Sequence, residues 1–375
     1  MSINRSRTFV SGLLIATALF LSLGHVGMAQ TETEISFLYL GNPEDFEVGE
    51  RLVEAFHAAN PDIKVTLQFA AVDYYGKLLT MISGGTAPDV FWIDGTVIPS
   101  FAIQDTMLDL SPFIDRSTVL SRDEFFAPVL EMFTYNGGLW ALPSDVSTVG
   151  LFYNADRFDQ YGMTYPDASW TWSDFRDVSM KLTRDTNNDG EPDQFGAVIE
   201  PRWWFQYFPW LWQNGADLFN ESRTASVIAS PQAIEATQFW ADLINVDRAT
   251  PTLAQAAQMG GTGRVFIDGI AAMYQSGPWE IPNFRKAVSF EWDLAEPPRR
   301  LIQASTFNSG AYAISNQTKN PEAAWRFVEF LAGPVGQAEM TASWLAIPAY
   351  RPVAAEAYSD PSLPPRNGRA FMEIM

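Results

Sequence analysis

The 375-residue chain has no cysteine and only two histidines, His25 and His57. Without thiols it has no disulfides, no thiolate nucleophile and no Cys-ligated zinc. It also offers no N-terminal cysteine for a thioether lipid anchor. His57 falls inside a helical apolar pattern, so a Ser-His-Asp site or a His-ligated metal is disfavoured. Positive charge is scarce as well: 24 Lys and Arg against 44 Asp and Glu give a net charge of −20. That balance repels nucleic acid and anionic membrane surfaces and disfavours an anionic ligand. The long apolar run, Phe9 to Leu23, is shorter than the ~20 residues a membrane-spanning helix needs. Arg5 and Arg7 precede it and Gly27-Met28-Ala29 closes it, which is the pattern of a secretory signal peptide over residues 1–29. The expectation is an exported, freely diffusing periplasmic protein.

What the chain has in abundance is aromatic surface: 13 Trp, 12 Tyr and 27 Phe. Core packing accounts for most of the phenylalanines. Residues 30–375 exceed the ~250–300 at which single cores divide, so two lobes are expected.

The periodicity is that of alternating strands and helices. Ile35–Leu40 is a compact apolar strand, and Phe46, Leu52, Val53 and Phe56 then recur at helical spacing. Ile63, Val65, Leu67 and Phe69 alternate with polar residues as a strand does. A second helix carrying Leu78, Leu79 and Ile82 stops at Gly84-Gly85, before a buried strand at Val90–Ile93. Such βαβ units require a parallel sheet covered by helices. Ser230-Pro231 opens a helix through Leu243, and Asn320-Pro321 opens another that ends at Gly333-Pro334. Ile270–Tyr274 and Ala311–Ser315 read as strands. No repeat or flexible linker occurs, so short extended crossings join the lobes.

Several stretches occur in an order that resembles the maltose-binding-protein-like family of extracellular solute-binding proteins, across residues 34–350. Ser83-Gly84-Gly85-Thr86-Ala87-Pro88-Asp89-Val90-Phe91-Trp92-Ile93-Asp94 is similar to the family's glycine-rich helix end and Pro-Asp strand. Asn136–Pro143 and Leu151–Asn154 resemble its first lobe crossing and the start of lobe two. Trp170–Phe175 resembles its capped helix, and Ala272–Trp279 its strand ending in a ligand-facing tryptophan. The resemblance implies a periplasmic-binding-protein-like α/β fold, with two α/β lobes, a multi-crossing hinge and a ligand cleft between them. Lobe one would hold 30–144 and 306–345, and lobe two 145–305 and 346–375. Further crossings are implied near Thr306–Ser309 and Trp344–Pro348. Family members usually continue with more C-terminal helices, so ligand contacts that the family draws from such a tail are expected to be missing or replaced.

A sugar presents C–H patches that stack on aromatic faces and hydroxyls that bond planar polar side chains. Open α/β sheets place such groups at the carboxyl ends of strands. By that rule the lobe-one candidates are Asn42, Glu44, Trp92 and Asp94, with Asp145 and Ser147 at the first crossing. Asp94 is also read as a turn acid before Gly95. In lobe two, the stretch Trp203–Trp210 holds six aromatic residues in eight positions. Helical spacing sends Phe208 and Trp210 inward and Trp203 or Trp204 to the cleft. Trp279 is the stronger stacking candidate, and Asn308 and Ser309 belong to the second crossing.

Asp185, Asn187, Asp189, Glu191 and Asp193 follow the order of a calcium loop, but Gly196 stands where a bidentate Glu is needed. The alternative is an Asx-rich turn without metal. No other cofactor is expected. The resemblance implies a monomer that captures a sugar and delivers it to an inner-membrane ABC permease with its ATPase. Competing readings are a secreted carbohydrate-active enzyme using two carboxylates, and the same fold binding a polyamine or peptide.

Overall fold

The computed structural model describes residues 32–41, 43–70, 72–342, 346–356 and 362–373. The expected signal peptide, Asn42 and Trp344 lie outside the described residues, as does the side chain of Glu44. No helix among the described residues is long and apolar enough to cross a membrane.

Two sheets form the centres of two α/β lobes. The first runs Ile63–Ala70, Thr33–Leu40, Val90–Asp94, Gly310–Ile314, Leu142–Pro143 across the sheet. Its first three strands are parallel, as the βαβ pattern requires. The late strand Gly310–Ile314 returns antiparallel beside Val90–Asp94, setting Gly310 opposite Asp94 and Tyr312 opposite Trp92. Phe37 and Leu38 are fully buried, and the helices Pro43–Ala59 and Pro321–Ala332 pack together on the Phe37 side, where the Phe327 ring lies 5.2 Å from Phe37 and 4.9 Å from Phe56. The second sheet runs Trp292–Ala295, Gly150–Asn154, Ala271–Ser276, Phe195–Val198. Every residue of Ala271–Ser276 is buried.

Local signals fix the helix starts. Thr171 and Asp174 cap the helix Trp172–Leu182 reciprocally, and the Ser230 hydroxyl accepts the Ala233 N–H at the head of Pro231–Asn245. The His57 ring accepts the Val65 N–H at 2.8 Å, a purely structural use.

A three-stranded sheet joins the lobes, with Asp145–Thr148 between Phe307–Asn308 and Ile347–Pro348. These are three antiparallel crossings hydrogen-bonded to one another, which makes the hinge a single small sheet. Gln337, fully buried, ties two of them: its amide donates to the Ser144 carbonyl at 2.5 Å and accepts from the Tyr350 N–H at 3.1 Å.

Assigning everything from residue 346 to lobe two is corrected. Tyr350 donates to Glu124 at 2.7 Å and Arg351 to the Asp123 carbonyl at 3.2 Å, holding that stretch on lobe one. Residues 362–373 return to lobe two, where the Phe371 ring packs 5.9 Å from Phe152 and Asn367 bonds Asp293 and Leu294. The aromatic residues on the two segments meet apolar surface on different lobes, which divides the tail.

Candidate functional site

Between the lobes lies a cavity of about 310 Å³ lined by Trp92, Asp94, Asp145, Ser147, Trp203, Trp204, Trp279, Asn308 and Ser309, with Thr96, Phe205 and Gly310. The strand Val90–Asp94 delivers Trp92 and Asp94 at its carboxyl end, where open α/β sheets expose their loops. Asp94 Oδ1 accepts from the Thr96 N–H at 2.8 Å and hydroxyl at 2.5 Å, and Oδ2 accepts from the Asn308 amide at 2.6 Å. It is therefore a turn acid and a cleft residue at once. Gly310 leaves room for the Trp92 indole, against which any Cβ there would collide. The Tyr75 hydroxyl accepts the Asp94 N–H at 3.0 Å, and burial pushes that phenol well above its usual range.

At the hinge, the Asp145 carboxylate accepts from the Gly310 N–H at 2.9 Å and the Ser144 hydroxyl at 2.6 Å. The Ser309 hydroxyl donates to the Asp145 carbonyl at 2.5 Å, and this residue is only 1% exposed. Ser309 thus binds the crossings together more than it faces the cavity.

Lobe two supplies an aromatic wall. Trp203 and Trp204 are 39% and 37% exposed at the head of the helix Trp204–Gln213, whereas Phe205 and Trp210 are buried. Rings of Trp203, Phe205 and Trp279 lie 5.2 to 5.6 Å apart. Phe208, expected in the core, is only partly buried and contacts Trp204 and Trp212. Sequence reasoning missed Phe205 and Thr96 as lining residues. Phe205 sat in the aromatic run, and Thr96 is the Ser/Thr that an Asp-x-x turn places against its acid.

The 185–193 loop lies apart from the cavity lining. Its acids are used internally: Asp185 accepts from the Asp189 and Gly190 N–H groups, and Asp193 from Thr186 and Asn187. Glu191 pairs with Arg248. Among the described residues no group of three or more Asp, Glu, His or Cys is arranged to hold a metal ion.

Four indoles, one amide and two carboxylates, with no Lys or Arg among the described lining residues, suit an uncharged ligand rich in hydroxyls and C–H faces. Two lobes, a three-crossing hinge and a polar-aromatic cavity between them define a two-lobed solute-binding protein. The chain belongs to the bacterial extracellular solute-binding protein family, whose model matches residues 41–338. It is 23% identical to a maltotriose-binding protein of Pyrococcus abyssi, over 86% of this chain and 66% of that protein. It is 24% identical to a sn-glycerol-3-phosphate-binding periplasmic protein of Shigella dysenteriae, over 92% of this chain and 79% of that one. Among solved structures, an ABC substrate-binding protein of Listeria monocytogenes in complex with cycloalternan superposes with a TM-score of 0.82 at 27% identity, covering 92% of this chain and 86% of that chain.

Proposed function

We propose that this chain captures a neutral sugar or oligosaccharide in the periplasm and presents it, as a monomer, to an inner-membrane ABC permease with its ATPase. The observation that carries the reading is the cavity at the lobe junction, with Trp92 on one lobe and Trp203, Trp204 and Trp279 on the other. A ligand filling it touches both lobes and so stabilises the closed form over the open one. The acidic lining disfavours a phosphate ester such as the ligand named for the Shigella relative, because Asp94 and Asp145 would face its anion without a countercharge among the described lining residues. The Pyrococcus and Listeria proteins, named for or solved with saccharides, support the sugar reading.

The test is a thermal-shift panel of mono- and oligosaccharides with polyamines included, followed by calorimetry and small-angle scattering. A saccharide should raise the melting temperature and compact the molecule. Absence of both with every saccharide sinks the reading, and hydrolysis of a bound oligosaccharide would turn it into an enzyme. For the 185–193 loop the proposal is a structural turn. Millimolar calcium should leave the melting temperature unmoved, and a shift would restore it as a calcium site.

A further inference from the structure

Glu280 is a recessed carboxyl group beside the cavity that the lining does not include. It closes the short turn Pro278–Glu280, one residue past Trp279. Its partners are neutral donors: Oε1 accepts from the Tyr274 hydroxyl at 3.0 Å and the Ser276 hydroxyl at 3.2 Å. Both belong to the buried strand Ala271–Ser276, and Tyr274 is itself 3.3 Å from the Thr262 hydroxyl. A carboxyl withdrawn from water without a cation is costly and needs these bonds. Two glycines shape its surroundings. At Gly263 a Cβ would come 3.4 Å from Oε2, and at Gly277 a Cβ would run into the Trp279 ring. The indole therefore lies over bare backbone at Gly277, on a short turn whose last residue is Glu280.

We propose that Glu280 is a positioning residue: its carboxyl, anchored on the Tyr274 and Ser276 hydroxyls, pins the turn Pro278–Glu280 to the strand Ala271–Ser276 and so holds the Trp279 indole in place on the cleft wall. The inference rests on the reading of Trp279 as a stacking surface. The charge state of the group agrees with this arrangement. Burial pushes the carboxyl above its ordinary range, while hydrogen bonds from the Tyr274 and Ser276 hydroxyls pull it partly back.

The experiment compares wild type, Glu280→Ala and Glu280→Gln in the full chain labelled with 5-fluorotryptophan, the Trp279 resonance being assigned through Trp279→Phe. Without ligand, Glu280→Ala should shift and broaden the Trp279 fluorine signal. Calorimetry against maltose, maltotriose and arabinotriose should show about tenfold weaker binding of whichever the wild type holds. Glu280→Gln keeps an acceptor oxygen and should stay within about threefold. If Glu280→Ala lowers the melting temperature yet leaves both the resonance and the affinity unchanged, the role is merely structural and the proposal is overturned. If the wild type binds none of the three sugars, the saccharide reading is what suffers, and the ligand-free resonance alone decides the positioning role.

Discussion

The Asn308 amide donates to the Asp94 carboxylate at 2.6 Å, joining the tip of a lobe-one strand to a hinge crossing 214 residues later. A hydrogen bond to a charged group contributes about 1.5–3 kcal/mol. Asn308→Ala should free one carboxylate oxygen and weaken saccharide binding by about tenfold. Calorimetry reads it, and an unchanged Kd would show that the bond does not orient Asp94.

Gly310→Ala puts a methyl group where the Trp92 indole lies. Overpacking of this kind costs about 1–3 kcal/mol. The variant should melt lower and bind more weakly, because the ring can make room only by leaving the cavity wall. Wild-type affinity together with wild-type tryptophan emission would count against this.

Gln337→Leu keeps the bulk but leaves the Ser144 carbonyl and the Tyr350 N–H without their buried partner. Each such group costs about 1–3 kcal/mol. Denaturant unfolding should lose roughly that sum, with scattering profiles showing a looser lobe arrangement. A midpoint equal to the wild type's would mean that other contacts hold the hinge.

The raised carboxyl of Glu280 sets a pH dependence of stability. The native state keeps its proton at pH values where the unfolded chain, titrating near 4.5, has released it. This group's contribution is therefore complete below about pH 4.5 and is lost as pH rises through the native pKa. Glu280→Gln, which never ionises, should gain stability relative to wild type across that interval and hold a constant difference above it. A flat difference between the two proteins over the same pH range would contradict this.

Local structure was legible because its causes are local. Ser230-Pro231, Thr171 with Asp174, and the apolar runs at Ile35 and Val90 act over a few residues, and the elements begin close to where they say. Ordered motifs also led to the two-lobed fold. The division of the aromatic run was less legible: Trp203 and Trp204 face the cavity while Phe205 is both lining and buried, and Phe208 stays half-covered. Spacing says which residues share a helix face, but only the neighbouring elements decide which face is covered.

The sequence by itself determined an acidic, cysteine-free, aromatic-rich α/β chain and the residue types its cleft would use. Tertiary structure decided which of them meet. Gly310 beside Trp92, Asn308 on Asp94 and Gln337 between two crossings are pairings across long stretches of chain. It also sent residues 351–354 and 362–373 to different lobes. The physical reason is that hydrogen-bond partners and packing surfaces are fixed by strand register and lobe contact, and neither is carried by the short-range pattern around any one residue.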